Sequence, residues 1–237
     1  MSEEDEQLDL PRLDLAGITT QWSRINDPSH FAIRYATAIS RYLQILLRDP
    51  HDADEAAQDF LLKVSRDGFP RATPEKGRFR DYLIAAIRNA AISLLRRRKK
   101  QPQSLDGLEE LVAEETRRAA DQAYLSHWQK CILDRAWREL LAHERRSPGN
   151  LFHTVLRATV ENPDEDSPTL AARVSKATGH SLKPEALRKQ LSRARKMFAR
   201  VLAEEVAATL DEPTPDSLRD ELTELGLFEF VAPHLEN

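Results

Sequence analysis

The sequence has few of the residues on which several common protein classes depend. It contains a single cysteine, Cys131, so neither an intramolecular disulfide nor a cysteine-rich zinc site can form. Only 7 of its 237 residues are glycine, and they build no glycine-rich phosphate loop. No apolar run approaches the roughly 20 residues that a membrane-spanning helix requires. The acidic start, Met1 to Glu6, lacks the apolar stretch of a secretory signal. We therefore expect a cytoplasmic protein without a membrane partner.

Signals for strands and for catalytic sites are equally sparse. Val, Ile and Thr show no sustained alternation, and no Asn-Gly or Asp-Gly turn separates two apolar runs. The 7 histidines are scattered, and none lies in an HExxH pattern. No serine or cysteine lies in a recognisable nucleophile turn. We expect an all-α protein that is not an enzyme and that uses no cofactor or metal.

Charge is abundant in this sequence, and its two signs are separated along the chain. Charged residues make up 31% of the chain, with a net charge of only −4. Residues 71–100 hold ten Lys or Arg against two acids, and residues 183–200 hold seven against one. By contrast, residues 49–59 hold five acids and no cation, and residues 204–237 hold ten acids and one arginine. Because distribution matters more than the sum, the two basic segments predict contacts with DNA.

The clearest helical pattern covers residues 52–64. Its apolar positions recur at the spacing of one helix face, at Ala53, Ala56, Ala57, Phe60, Leu61 and Val64. Asp52 is expected to cap this helix, with Glu55 three residues later completing a capping box. The polar side of the helix is acidic. A basic surface on another protein would suit it, and plain solvation is the alternative.

The first basic segment combines a loop, residues 68–77, with a helix expected from about Arg78 to Lys100. Five consecutive cations end that helix, more than the helix dipole accounts for. Aromatic side chains beside cations are typical of surfaces that stack single-stranded bases. Phe79 and Tyr82 lie on the apolar stripe, where core packing explains them. Phe69, in the loop, is the better candidate for a base contact.

The second basic segment has the pattern of a helix-turn-helix. A short helix is expected over residues 169–178, followed by a turn that starts at Gly179. A longer helix begins at Pro184, a residue suited to a first helical turn. One side of that helix is apolar and the other is basic, as in a helix that enters the DNA major groove.

In this order the segments resemble an extracytoplasmic-function (ECF) type sigma factor of RNA polymerase. Residues 52–64 are similar to the region 2.2 helix, which docks on the clamp helices of the polymerase β′ subunit. Residues 79–98 are similar to regions 2.3–2.4, which open and read the −10 promoter element. Residues 187–195 resemble the region 4 recognition helix, which reads the −35 element. The resemblance covers roughly residues 22–205.

The resemblance implies partners and residue roles. The partners are core RNA polymerase, through its β′ clamp and β flap, and promoter DNA; an anti-sigma factor is left open. The expected polymerase-binding residues are Asp54, Glu55, Gln58 and Asp59. The expected −10 DNA-binding residues are Phe69, Arg71, Lys76, Arg78, Arg80, Tyr82, Arg88, Asn89, Arg96 and Arg97. The expected −35 DNA-binding residues are Lys183, Arg188, Lys189, Ser192, Arg193, Arg195 and Lys196.

We predict two small helical domains joined by an acidic linker; the residues leave open whether this segment is an extended linker or an exposed helix. The expected order is an acidic tail, a sigma region 2-like domain, the linker, a sigma region 4-like helix-turn-helix domain and an acidic C-terminal extension, over residues 1–20, 21–100, 101–127, 128–210 and 211–237. The composition of the extension suggests that it folds over the basic helix and restrains DNA binding. Two other functions stay open: a free-standing helix-turn-helix regulator of transcription, and a helical adaptor with incidental basic faces.

Overall fold

The computed structural model describes residues 28–69, 79–99, 113–147, 149–210 and 213–235. Within these ranges the chain has no strand, which confirms the predicted all-α class. None of the helices found there is long and apolar enough to span a membrane. The helices in the described ranges are α1 (Pro28–Leu47), α2 (Pro50–Asp67), α3 (Phe79–Lys99), α4 (Glu114–Arg146), α5 (Phe152–Glu161), α6 (Ser167–Thr178), α7 (Pro184–Ala207), α8 (Pro215–Glu224) and α9 (Phe228–Leu235).

The chain divides into two compact units, and the division falls inside α4. The N-terminal unit contains α1, α2, α3 and α4 as far as Cys131, together with Ala207–Thr214. The C-terminal unit contains the rest of α4, the chain from there to Val206, and Pro215–Asn237. The structure describes the predicted linker, residues 101–127, from residue 113 onward. From residue 114 it is helical and belongs to the N-terminal unit.

Burial of large aromatic side chains explains why the start of α4 joins the N-terminal unit. Tyr124 and Trp128 are both buried, and Ala120 lies one turn before them on the same face. The Trp128 ring stacks on Tyr35 of α1 with 4.8 Å between centroids, and Tyr124 meets Tyr42 edge-on at 5.9 Å. Such aromatic pairs contribute beyond the area that they bury. Composition alone does not reveal this apolar stripe, because the segment is rich in acidic residues.

Helix α2 begins earlier than the sequence pattern predicted. Its N-cap is Asp49, whose carboxylate accepts a hydrogen bond from the Asp52 backbone N–H at 2.9 Å. Pro50 occupies the first turn, where the lack of an N–H has no cost. The prediction that Asp52 caps the helix is therefore wrong, because Pro50 fixes the start of the helix three residues upstream.

The C-terminal unit has a small core where α5, α6 and α7 meet. Buried Val155, Leu170, Val174 and Leu187 form one cluster, one or two from each helix. The connection from α6 to α7 turns at Gly179, which adopts a left-handed φ of 71° that a glycine adopts without strain.

The acidic extension contributes apolar side chains to the interior of the C-terminal unit. Leu218, Leu222 and Val231 of α8 and α9 are buried, and Phe230 meets Phe198 of α7 edge-on at 5.9 Å. The extension thus reaches α7 through Phe198, a buried side chain. It leaves four of the basic or polar side chains of α7 exposed, in contrast to the expectation that it covers them: Arg188, Lys189, Ser192 and Arg193.

We expect Leu222→Ala to lower the free energy of unfolding of the C-terminal unit by about 2–5 kcal/mol, because it leaves a cavity at a fully buried position. The measurement is urea unfolding followed by circular dichroism. Leu62→Ala is the matched control, since Leu62 is 68% exposed and its truncation should change stability by less than about 0.5 kcal/mol. Equal effects of the two substitutions would contradict a folded extension.

Candidate nucleic-acid interface

The polar side of α2 has two parts with different surroundings. Asp54 and Gln58 point to solvent and, among the described residues, Asp54 forms no ion pair. Leu62 lies one turn beyond Gln58 and is 68% exposed. Glu55 and Asp59 instead point towards the end of α3. The four residues predicted to bind polymerase therefore do not form one uniform acidic surface.

An ion-pair cluster joins α2 to α3. It consists of Asp52, Glu55 and Asp59 on α2 and of Arg97 and Arg98 on α3. Arg97 Nη2 lies 2.7 Å from an Asp59 carboxylate oxygen and 3.8 Å from one of Glu55. Arg98 Nη2 lies 2.8 Å from Asp52 and 2.9 Å from Glu55. The hydrogen bond from Arg97 to Asp59 raises the pKa of Arg97. The cluster thus pairs predicted polymerase-binding residues with a predicted DNA-binding residue.

The three aromatic rings of the first basic segment form one cluster. Phe69 meets Phe79 at 5.8 Å and Tyr82 at 5.9 Å, both edge-on. Phe69 and Phe79 are buried, whereas Tyr82 is half-buried. Packing within the core, expected for Phe79, therefore also describes Phe69. The sequence favoured Phe69 over Tyr82 as a base contact. In the structure Tyr82 is the more accessible of the two rings.

A cavity of about 910 Å³ lies between α2 and α3 and brings together several predicted DNA-binding residues. Phe69, Tyr82, Asn89 and Arg97 all line it. Its apolar wall includes Phe60, and its polar wall includes side chains that sequence reasoning did not select: Lys63, Arg66 and Ser93. Helical spacing could have identified these residues from the sequence. Lys63 and Arg66 are three residues apart on α2, and Ser93 follows Asn89 by four on α3, so each pair lies on one face of its helix.

Arg88 is held within the fold by hydrogen bonds to side chains of two other helices. Its guanidinium donates hydrogen bonds to both carboxylate oxygens of Asp121 at 2.9 and 3.0 Å, and to the Tyr42 hydroxyl at 3.2 Å. Tyr42 in turn donates to Asp121 at 3.0 Å. Burial raises the pKa of Tyr42 to about 12, although Arg88 opposes this shift. This triad ties α3 to α1 and α4, so the predicted DNA role of Arg88 conflicts with its position.

The other predicted −10 residues differ in accessibility. The prediction that Arg80 binds DNA conflicts with the structure, because only 3% of its side chain is exposed and its guanidinium lies 3.9 Å from Asp81. A guanidinium buried in this way does not reach a DNA phosphate. Arg96 is half-buried and Asn89 is exposed. Three predicted residues lie outside the described ranges: Arg71, Lys76 and Arg78.

Helix α7 and the turn before it present most of the predicted −35 residues to solvent. Lys183 and Lys196 are exposed, like the four α7 residues named above, whereas Arg195 is half-buried. His234 of α9 lies near Arg195 and Lys196. Burial lowers the pKa of His234, and these two cations lower it further. The exposed part of the basic face thus begins at Lys183 and runs along α7, while its far end is close to α9.

Comparison with protein families identifies the segment to which α2 and α3 belong. Residues 31–101 match the family model of Sigma-70 region 2. The matched segment covers less than a third of the chain and includes α2 and α3. Comparisons with curated proteins and with solved structures gave no match.

We expect Arg88→Gln and Asp121→Asn to lower the free energy of unfolding by similar amounts. Each should cost about 1 kcal/mol, because each breaks the same charged hydrogen bonds in a partly exposed site. Chemical unfolding of both variants measures this. A phosphate contact by Arg88 would give a different pattern, in which Arg88→Gln alone reduces the salt dependence of DNA binding and leaves stability unchanged.

Proposed function

We propose that this chain is an ECF-type alternative sigma factor, a dissociable subunit that directs core RNA polymerase to its promoters. The observation that carries the proposal is the match of residues 31–101 to Sigma-70 region 2. The cavity between α2 and α3 lies within the matched segment. The chain itself performs no covalent step in this function, since RNA synthesis belongs to the polymerase.

The proposed polymerase contact is the polar side of α2. Asp54 and Gln58 are exposed, and Glu55 and Asp59 are accessible although paired, with 37% and 51% of their side chains exposed. A basic helical surface such as the β′ clamp complements this charge. Complementary charge speeds association and fixes the register of the complex. Leu62, exposed on the same helix, adds an apolar contact beside the charged ones.

The proposed −10 contact is the cavity between α2 and α3. Tyr82 supplies an accessible aromatic ring, Asn89 an amide that can donate and accept, and Arg97 a cation near the rim. Stacking of an unpaired base on an aromatic ring is worth about 1–3 kcal/mol and tolerates any base, so the polar groups must provide selectivity. Lys63 and Arg66 extend the cationic part of the rim towards the DNA backbone.

The proposed −35 contact is the exposed basic side of α7. Arg188, Lys189, Ser192 and Arg193 are spaced at i, i+1, i+4 and i+5, which places them on one side of the helix. Arginine side chains that enter the major groove recognise guanine in a bidentate manner. Two modest DNA contacts on one chain strengthen each other through effective concentration, and each remains weak enough to be released.

We expect run-off transcription from a promoter of this factor to require the chain and to fail without it. Glu55→Gln should weaken binding to core polymerase about tenfold or more, because it leaves a polymerase cation without its partner. Fluorescence titration of the labelled full chain with purified core measures this affinity. Glu139→Gln, at an exposed position of α4, is the matched control and should bind core normally.

Two outcomes would contradict the proposal. If promoter-specific RNA forms equally well without the chain, the sigma function is wrong. If the chain binds its promoter tightly and specifically without polymerase, and core has no affinity for it, a free-standing transcription regulator explains the sequence better.

We expect Arg193→Gln to weaken promoter binding of the reconstituted holoenzyme about fivefold or more, because a base or phosphate contact is lost. The salt slope separates the two cases. A phosphate contact lowers it by about one, whereas a base contact leaves it unchanged and relaxes sequence preference. Arg200→Gln is the control on the same helix, since Arg200 already pairs with Glu204 at 2.7 Å. Equal losses for both variants would indicate only general electrostatic attraction.

A further inference from the structure

We propose that His180, in the turn between α6 and α7, binds a DNA phosphate beside the base pairs that α7 reads, and that it does so in its protonated form. This inference rests on the proposed −35 contact of α7. A recognition helix in the major groove contacts base edges with its N-terminal residues. The turn directly before Pro184, the first residue of α7, therefore lies at the DNA surface when α7 occupies the groove.

The turn is long for a helix-turn-helix, and its conformation is fixed at several points. It covers five residues, Gly179 to Lys183, where about three or four are typical of this motif. The Gly179 N–H donates to the Ser175 carbonyl at 2.9 Å. The Leu182 N–H donates to the Ser175 hydroxyl at 2.9 Å, and the Leu182 side chain packs against the core cluster of the C-terminal unit. Binding to DNA therefore requires little further ordering of the turn.

The imidazole of His180 is oriented by a hydrogen bond within the turn. Its Nδ1 lies 2.9 Å from the carbonyl oxygen of Thr178. Since a carbonyl oxygen can only accept, Nδ1 carries the proton of this hydrogen bond, which sets the tautomer of the neutral ring. The His180 side chain is exposed, and its other nitrogen, Nε2, has no hydrogen-bond partner among the described residues. Nε2 is therefore the atom that can meet a phosphate.

The tautomer makes the phosphate contact depend on protonation. In the neutral ring Nε2 is an acceptor, and a phosphate oxygen that approaches it is an acceptor as well. In the imidazolium, Nε2–H donates a charge-assisted hydrogen bond to that oxygen. Phosphate binding thus favours the protonated ring, so the affinity for DNA rises as the pH falls through the range in which histidine gains its charge.

The charges around the turn favour an anion. The charged side chains nearest to His180 in sequence are Arg173 and Lys176 on α6, Lys183 in the turn and Glu185 on α7. Arg173 is bound to Glu165 at 2.9 Å. Neither lysine forms an ion pair with a described residue. His180 thus lies between two cations that have no carboxylate partner in the described structure, and their field attracts a phosphate.

The first test measures binding of the full chain to a short DNA duplex that the chain itself has enriched from a random pool at low salt. His180→Ala should bind about two- to fivefold more weakly than the unmodified chain at about pH 6 and equally well at about pH 8. At the lower pH its salt slope should also be smaller by about one. Equal affinity of the two proteins at both pH values would overturn the proposal. An equal loss at both would also overturn it, because His180 would then act only as a structural cap of α6.

Two further variants separate the charge of His180 from its structural role. His180→Lys keeps a cation in the turn at every pH used, so it should bind DNA with less pH dependence than the unmodified chain and as tightly as that chain does at low pH. His51→Ala is the matched control, because His51 is the other exposed histidine among the side chains that the structure describes. It should leave the pH dependence as it is. If His51→Ala changes the pH dependence as much as His180→Ala does, the effect does not come from the turn.

The second test asks whether the group that His180 binds is a phosphate. In the same duplex, a neutral methylphosphonate replaces one phosphate at a time. At the phosphate that His180 binds, the replacement should weaken binding of the unmodified chain about two- to fivefold at low pH and have little effect on His180→Ala. If every replacement affects the two proteins equally, His180 binds no phosphate and the proposal is wrong.

The proposed function and this inference fail in different ways. If Arg193→Gln leaves binding to the duplex unchanged, the proposed −35 surface is wrong. If Arg193→Gln weakens binding and His180→Ala does not weaken it at low pH, the −35 surface is right and the contact by the turn is wrong. Melting curves of each variant at both pH values show whether the fold is kept, which is expected because both side chains are exposed.

Discussion

The packing of α3 against α2 is the constraint on which the rest of the N-terminal unit depends. The two helices contact each other, and both carry buried apolar side chains: Phe60 and Val64 on α2, and Leu83 and Ile87 on α3. The packing of the two helices then determines which polar side chains at the edge of the contact lie close enough to pair. The carboxylates of α2 come to face the last turns of α3, and the cavity forms between the two helices. Burial of apolar side chains stabilises the contact between α2 and α3. The exposed ion pairs at its edge contribute little and follow from how the two helices are aligned.

Much of the fold could be predicted from periodicity, and the failures have physical causes. The apolar stripe of α2 was visible because its spacing repeats without interruption. The cap was assigned to Asp52 instead of Asp49 because both residues suit an N-cap, and the fixed φ of Pro50 decides between them. The start of α4 fell in a segment predicted to be a linker or an exposed helix, because acids outnumber basic residues there by six to two over residues 101–122. A helix nevertheless needs only one buried face, and Tyr124 and Trp128 provide it.

The candidate site was harder to predict than the fold, because a basic residue has the same appearance in sequence whatever its partner. Arg88 and Arg193 illustrate this point. The first donates three hydrogen bonds to Tyr42 and Asp121, and the second is exposed on α7. Local sequence does not distinguish them, since the partners of Arg88 come from helices 46 and 33 residues away. Only tertiary structure separates the cations that hold the fold from those that remain accessible to DNA.

The same reasoning gives the acidic residues of the chain more than one function. Asp121 holds Arg88 within the fold, whereas Asp59 holds Arg97 at its surface. The first pair connects three helices and shares its charge with a tyrosine hydroxyl, so its exchange for an external partner would disturb their packing. The second pair can be exchanged because both of its side chains are more than half exposed. A chain that is acidic overall can therefore offer basic helices to DNA, provided that the carboxylates nearest to those helices have another cation to bind.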